Sequence, residues 1–130
     1  MNSIPEIKEK SKGAVVAFAI GDALGWPNER RSVALSYNKN YISNFKQWNK
    51  KSGGRYWSHT EVIMPGEYSD DTQLMLAISR SLLSGSDWSE YFTKHELPFW
   101  RQYERGGGNA VLKAAEQWSK GKKPWENKDN

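Results

Sequence analysis

The 130-residue sequence contains no cysteine and no long apolar run. The absence of cysteine excludes disulfides, thiolate metal sites and a cysteine nucleophile, and it fits a reducing compartment. The longest uninterrupted apolar stretch covers only residues 14–20, whereas a membrane-spanning helix needs about 20 apolar residues. The first residues, MNSIPEIKEK, are polar and carry acids, unlike a secretory signal. We therefore expect a soluble, cytoplasmic protein with no membrane partner.

Apolar side chains are scarce overall, yet tryptophan is abundant. Hydrophobic residues make up 37% of the chain and include seven tryptophans, whereas the usual apolar share is about 45–50% on a scale that also counts glycine. Most of these tryptophans lie in polar surroundings, so we expect them to cover loops or to pack against a further part of a larger fold. The length predicts one domain, residues 1–130, with a disordered polar tail over residues 120–130.

The formal net charge is +4, and basic residues concentrate at positions 8–12, 46–55 and 120–128. Such clusters attract nucleic acid or another polyanion, or they are simply solvated loops. The sequence has no helix-turn-helix, zinc-finger or RNP signature. A nucleic-acid partner is therefore not expected, although a basic helical nucleic-acid-binding module stays open as an alternative.

The spacing of apolar residues predicts an all-α fold. A first helix is predicted from residue 4 or 5 to residue 24, because Ser3 and Glu6 have the spacing of a capping box and Gly25 and Pro27 follow. Later helices are predicted over residues 70–83, about 88–95, 99–104 and 110–120, with Asp87 as an N-cap and Pro98 as a break.

The segment between the first two predicted helices, residues 27–66, is rich in Asn, Ser, Lys, Gly and Tyr. Its periodicity is poor, so it is predicted to be irregular, with short helical turns near residues 32–36 and 41–48. The stretch KKSGGRYWSH is predicted to be a loop, and no strand pair is expected. A long irregular segment of this kind is often functional.

The stretch GEYSDDTQLML places two carboxylates and two hydroxyls in four consecutive residues, Ser69 to Thr72. Helix capping explains such residues, since acids and hydroxyls are favoured at a helix N-terminus. One cap needs only one acid, however. An all-oxygen set also suits a hard cation such as Mg²⁺ or Mn²⁺, which would relieve the repulsion between Asp70 and Asp71.

Two further stretches are candidate functional sites. In GDALGWPNE, Asp22 lies in the last turn of the first helix, where the helix dipole disfavours an acid, and Glu29 follows the break. In YERGGGNAVLKA, three glycines precede a helix, an arrangement that can cradle a phosphate with backbone N–H groups. Surface acids and a flexible loop are the structural alternatives for these two stretches.

Taken in order, GAVVAFAIGDALGWPNE, GEYSDDTQLMLAISRSLL and YERGGGNAVLKAAEQWSKGKKPW resemble the N-terminal part of the ADP-ribosylglycohydrolase family, which includes the dinitrogenase-reductase-activating glycohydrolases. The resemblance covers roughly residues 11–125. It implies a multi-helix fold with a dinuclear Mg²⁺ or Mn²⁺ site. It also implies hydrolysis at the ribose anomeric carbon, which removes ADP-ribose from modified proteins or from small ADP-ribosyl compounds.

The resemblance assigns expected roles to particular residues. Ser69, Asp70 and Asp71 match the metal ligands, and Glu29 matches the glutamate that closes over the metal and the substrate. The expected catalytic residues are Glu29, Asp70 and Asp71, and the expected substrate-binding residues are Asp22, Gly106, Gly107 and Gly108.

The sequence departs from the family in lacking the second acidic cluster, of the D-x-D-[ST] type, that relatives carry near the C-terminus. The only acids after Glu104 are Glu116, Glu126 and Asp129. The chain therefore resembles a fold truncated to its N-terminal half, whose activity would need the missing half or a second chain that supplies the other metal ligands. The alternative is a non-catalytic remnant that binds ADP-ribose or a protein partner.

Overall fold

The computed structural model describes residues 1–29 and 44–122. Within these ranges the chain is mostly helical, as the sequence predicted, with one two-stranded sheet. Its contacts divide it into two compact units, Met1–Tyr68 and Ser69–Asn130. The helical turn predicted at residues 32–36 and most of the predicted disordered tail lie outside the described residues.

Helix α1, Ile4–Gly25, begins where the sequence predicted. The Ser3 Oγ accepts the Glu6 N–H at 3.4 Å, and the Glu6 Oε2 accepts the Ser3 N–H at 2.7 Å, so the capping box is complete. The helix ends at Gly25, and a 3₁₀ turn, Trp26–Asn28, follows. Gly25 keeps a right-handed conformation with φ −76°, so the helix ends by tightening into the 3₁₀ turn rather than through a left-handed glycine.

The prediction that the chain has no strand pair is wrong. Strand β1, Trp48–Ser52, pairs antiparallel with strand β2, His59–Ile63, and Lys50 lies opposite Glu61. The helical turn predicted to reach residue 48 is therefore absent over residues 44–48, and the predicted loop supplies parts of both strands. The hairpin turns through Gly53 and Gly54, whose φ angles are +84° and +61°. These left-handed conformations favour glycine because it has no Cβ.

Helix α2, Asp70–Leu83, has the predicted bounds, and helix α5, Asn109–Ser119, lies within one residue of the prediction. The predicted break at Pro98 does not occur. Helix α3, Trp88–Tyr91, continues through a π-helical segment, Phe92–Glu96, into helix α4, Leu97–Tyr103. A proline inside an α-helix loses one hydrogen bond and its ring clashes with the preceding turn. The wider π turn just before it allows the helical path to continue.

The core of the second unit forms around Trp100, whose exposed fraction is 0%. The buried cluster that surrounds it contains Ala77, Phe92, Leu97 and Ala115. Trp118 packs edge-on against Phe92, with 6.4 Å between the ring centroids. Trp100 is one of the tryptophans predicted to lie in polar surroundings, but the helical path carries it inward. In the first unit Trp26 is also buried and meets Trp48 edge-on at 5.3 Å.

Candidate active site

The paired aspartates open helix α2, and Ser69 is its N-cap. Ser69 has an extended backbone, with φ −91° and ψ −168°, and its Oγ accepts the Asp71 N–H at 3.2 Å. This bond satisfies one of the amides that the first turn of a helix leaves without a partner. Capping, one of the two interpretations of this stretch, is therefore confirmed.

The burial of this turn is more than capping alone requires. Ser69 and Thr72 are buried, Asp70 is only 8% exposed, and Asp71 faces solvent. A carboxylate removed from water needs compensation from donors or cations. The positive end of the α2 dipole supplies part of this, since both acids lie in its first turn.

The glycine-rich loop lies directly against this acidic turn. The Asp70 N–H donates to the Arg105 carbonyl at 3.1 Å. The Gln73 side chain joins the same two segments, because its Oε1 accepts the Arg105 N–H at 3.0 Å and its Nε2 donates to the Tyr103 carbonyl at 3.2 Å. The second and third sequence motifs, more than 30 residues apart, are thus neighbours in the fold.

Within the loop, Gly106 has a φ of +97°, and Gly107 is held by Glu104. The Gly107 N–H donates to the Glu104 Oε2 at 2.6 Å. A Cβ on Gly107 would lie 2.9 Å from that oxygen and 3.2 Å from the Trp100 ring. A larger residue at Gly107 would therefore displace the Glu104 carboxylate and press on the Trp100 ring. Gly108, which is exposed, precedes helix α5 and caps it without a side-chain hydrogen bond.

Asp22 and Glu29 belong to the first unit. Asp22 is partly buried near the end of α1, and its carbonyl accepts the Trp26 N–H. Glu29 is exposed at the end of the 3₁₀ turn, where its N–H donates to the Trp26 carbonyl at 3.4 Å. Asn28 fixes this turn, since its Nδ2 donates to the Leu24 carbonyl and its Oδ1 accepts from Lys46 Nζ, both at 3.0 Å. The two acids that the sequence singled out therefore flank one short turn.

The donor set of the acidic turn has the chemistry that a hard cation requires. Two carboxylates and a hydroxyl are all oxygen ligands, and the Ser69 hydroxyl oxygen can accept at a second lone pair while it caps the helix. Over residues 1–29 and 44–122, however, no group of three or more His, Asp or Glu side chains is arranged as a metal site. The acidic turn thus fits part of a coordination shell rather than all of one.

Sequence reasoning missed two polar contacts in the second unit. One is the Gln73 bridge to the glycine loop. The other is a bidentate ion pair in which the Arg80 Nε and Nη2 donate to the two carboxylate oxygens of Glu96 at 2.8 and 2.7 Å. The hydrogen bonds that Arg80 donates to the Glu96 carboxylate raise the pKa of the guanidinium. Neither contact has a signal in the sequence, because each depends on how distant segments pack.

In the first unit, His59 and Glu61 on strand β2 perturb each other. The Trp57 carbonyl and the Glu61 carboxylate accept hydrogen bonds from the imidazole and raise the pKa of His59. Desolvation acts to raise the pKa of Glu61, but the His59 hydrogen bond and the Lys50 charge lower it overall. These groups lie on an exposed hairpin, so we assign them no part in the candidate site.

Comparison with known proteins identifies the family of the chain. The family model described as ADP-ribosylglycohydrolase matches residues 3–130, and the chain therefore belongs to the ADP-ribosylglycohydrolase family. It is also similar to the ADP-ribosylarginine hydrolase Tri1 of Serratia proteamaculans (strain 568), with 28% identity over 132 residues. That alignment covers 94% of this chain and 32% of the relative, so the chain spans about a third of the relative's length.

No solved structure matches the chain significantly. In the part of the chain that the structure describes, no helix is both long enough and apolar enough to cross a membrane.

Proposed function

We propose that this chain supplies part of the active site of a hydrolase that removes ADP-ribose from modified proteins or related ADP-ribosyl compounds. The observation that carries the proposal is the junction between the acidic turn and the glycine loop, made by the Asp70 N–H and the Arg105 carbonyl at 3.1 Å. It brings the backbone of the acidic turn to the glycine loop, in which a Cβ on Gly108 would have no neighbouring atom within 4 Å. Family membership supports the reaction class. We further propose that the protein acts in the cytoplasm, because it has no cysteine.

The first substrate to test is an ADP-ribosylated arginine side chain. The similar protein from Serratia proteamaculans is an ADP-ribosylarginine hydrolase, which supports an N-glycosidic bond to a guanidine as the bond that breaks. Hydrolysis would join the water oxygen to the ribose anomeric carbon, break the bond from that carbon to nitrogen, and deliver the water proton to the leaving guanidine. Serine-linked and small-molecule ADP-ribosyl compounds are the comparison substrates.

The proposed cation is Mg²⁺ or Mn²⁺, one of two in the complete family site, held on this chain by Ser69, Asp70 and Asp71. When bound, it would withdraw electron density from the substrate hydroxyls. We propose that the remaining ligands come from a C-terminal half or from a second chain. The support is the set of only two carboxylates at the acidic turn and the alignment to a third of the relative.

The residues of this chain would act through charge and position. As the bond to the leaving group breaks, positive charge develops on the ribose ring, and the carboxylates of Asp70 and Asp71 would stabilise it. Glu29, which is exposed at the end of its turn, would close over the bound substrate, with Asp22 in a supporting role. The amides of Gly106 and Gly108 would face the substrate as hydrogen-bond donors, whereas the Gly107 amide, which donates to Glu104, would fix the shape of the loop.

The test is release of ADP-ribose from an arginine-ADP-ribosylated protein by the purified chain, with Mn²⁺ or with a chelator. We expect Mn²⁺-dependent release when the remaining ligands are present, supplied by a second copy of the chain or by an added C-terminal part of the relative, and we expect its loss in the variant Asp70→Asn/Asp71→Asn. The matched control is Glu90→Gln/Glu116→Gln, which also neutralises two acids but does so in surface ion pairs with Lys94 and Lys120.

Three outcomes would separate the alternatives. Equal loss in the control variant would show that the effect is one of general charge rather than of the acidic turn. Binding of ADP-ribose by the folded chain without release would support a non-catalytic remnant. Neither binding nor release by folded chain would overturn the proposal for the isolated chain.

A further inference from the structure

The side-chain amide of Gln73 makes two hydrogen bonds that the family assignment does not explain. Gln73 lies in the first turns of α2, three residues after Asp70, and is partly buried. Its oxygen accepts the Arg105 N–H at 3.0 Å, and its nitrogen donates to the Tyr103 carbonyl at 3.2 Å. Both partners are backbone groups in the segment that leads from α4 into the glycine loop.

We propose that Gln73 is a positioning residue that holds the glycine loop against the acidic turn, so that the loop amides and the two aspartates present one surface to the substrate. The inference rests on the proposed function, because it assigns Gln73 a role in that same site. Gln73 itself would not touch the reacting atoms. It would act through the backbone of Tyr103 and Arg105.

The side-chain amide of Gln73 satisfies both backbone groups at once. It offers an acceptor to the Arg105 N–H and a donor to the Tyr103 carbonyl, whereas a carboxylate can only accept and an apolar side chain can do neither. Gln73 thus adds two hydrogen bonds to the backbone bond from the Asp70 N–H to the Arg105 carbonyl. Bonds to both Tyr103 and Arg105 resist rotation of the loop better than a bond to Arg105 alone.

The rest of the loop is built to transmit this constraint. The Gly107 N–H is bonded to Glu104, the residue between the two that Gln73 holds, at 2.6 Å. Gly107 also lies close enough to the buried Trp100 ring that a Cβ would be 3.2 Å from it. The position of Gly107 therefore follows from the path of residues 103–105, and that path is set by Gln73.

The first measurement is backbone hydrogen exchange of the full chain, followed by NMR, in Gln73→Met, Gln73→Glu and the control Gln117→Met. Gln117 is exposed on α5, so Gln117→Met makes the same side-chain replacement at a position outside the loop. We expect exchange at Arg105 and Gly107 to rise roughly tenfold in Gln73→Met, since two hydrogen bonds are lost. The control should leave exchange at these positions unchanged.

The variant Gln73→Glu separates the two bonds. Its carboxylate still accepts the Arg105 N–H but cannot donate to the Tyr103 carbonyl. We expect the Arg105 amide to stay protected in this variant, unlike in Gln73→Met. Unchanged protection of Arg105 and Gly107 in Gln73→Met would overturn the proposal.

The second measurement is ADP-ribose affinity by calorimetry, at a temperature where circular dichroism shows every variant folded. Gln73→Met should weaken binding roughly tenfold, and Gln117→Met should not change it. A faster-exchanging loop with unchanged ADP-ribose affinity would show that Gln73 serves stability alone and would overturn its positioning role. Failure of the wild-type chain to bind ADP-ribose would refute the proposed function and, with it, the role of Gln73 in presenting a substrate surface. The exchange data would still decide whether Gln73 holds the loop.

Discussion

Replacing Ser69 separates the capping role of its hydroxyl from its proposed role as a metal ligand. In the structure the Ser69 Oγ accepts the Asp71 N–H at 3.2 Å and the residue is buried. Alanine in place of an N-cap serine costs about 1 kcal/mol, whereas glycine costs only a few tenths of a kcal/mol, because its backbone adopts the cap conformation easily. Both replacements remove the hydroxyl oxygen completely.

The two roles therefore predict different orders among the variants. In urea unfolding followed by circular dichroism, Ser69→Ala should lower the midpoint by about 0.5 M, given a slope of roughly 2 kcal/mol per molar urea. Ser69→Gly should lower it by much less. In a Mn²⁺ titration both variants should lose affinity to the same extent, because neither can coordinate.

Either half of this reasoning can fail by itself. Equal urea midpoints for the two variants would show that the Ser69 cap contributes little to stability. Wild-type Mn²⁺ affinity in both variants would show that the hydroxyl is no ligand, even if capping holds. Ser69→Thr serves as the control, because it keeps a hydroxyl that can both cap the helix and bind a cation.

Three further predictions test the surrounding structure. Arg80→Met should lower the free energy of unfolding by about 1–2 kcal/mol in urea denaturation, because it leaves Glu96, whose side chain is 10% exposed, without its cation. This loss is smaller than that for a fully buried ion pair, because the Arg80 side chain is half-exposed. Gly53→Ala should unfold the hairpin, seen as lost NMR amide protection over residues 48–52, because its Cβ would lie 1.7 Å from a carbonyl oxygen of the same turn. An NMR titration should give His59 a pKa above 6.5, and Glu61→Gln should lower it, because the charged acceptor is lost.

Each of these has a contradicting outcome. A fully stable Arg80→Met protein would mean that water solvates the carboxylate, and unchanged amide protection in the Gly53 variant would mean that the turn adapts. For the histidine, the raised pKa favours the protonated form in the folded state. Its contribution to stability is therefore present at low pH and is lost as the pH rises through the folded-state pKa. A hairpin that grows more stable between pH 6 and pH 8 would contradict this sign.

Most helix boundaries could be predicted because their causes are local. The Ser3–Glu6 capping box, the Ser69 cap of α2 and the Asp87 cap of α3 all involve residues within three positions of each other. The same holds for the acidic turn, whose four oxygen-bearing side chains are consecutive. Hydrogen bonds of this range form whenever the local sequence allows them, so the sequence can be interpreted without knowledge of the fold.

The features that were not predicted from the sequence have causes that are not local. The β1–β2 hairpin was missed because its strands are mostly polar, with no alternation of apolar residues to reveal them, although β1 alternates half-buried and exposed positions. The helical path through Pro98 was missed because the π segment before it is a feature of backbone geometry. The burial of Trp100 was missed because polar residues follow it in the sequence, whereas the helices pack it against Phe92 and Ala115.

The amino-acid sequence alone determined the family of this protein, its helical class and the residues of the acidic turn, because each is encoded in short runs of consecutive residues. Only the tertiary structure brought the glycine loop to that turn and assigned Gln73 as the link between them. The reason is distance along the chain: Gln73 and Arg105 are separated by 32 positions. A contact of that range exists only after the helices between them have packed, and no local pattern specifies the result.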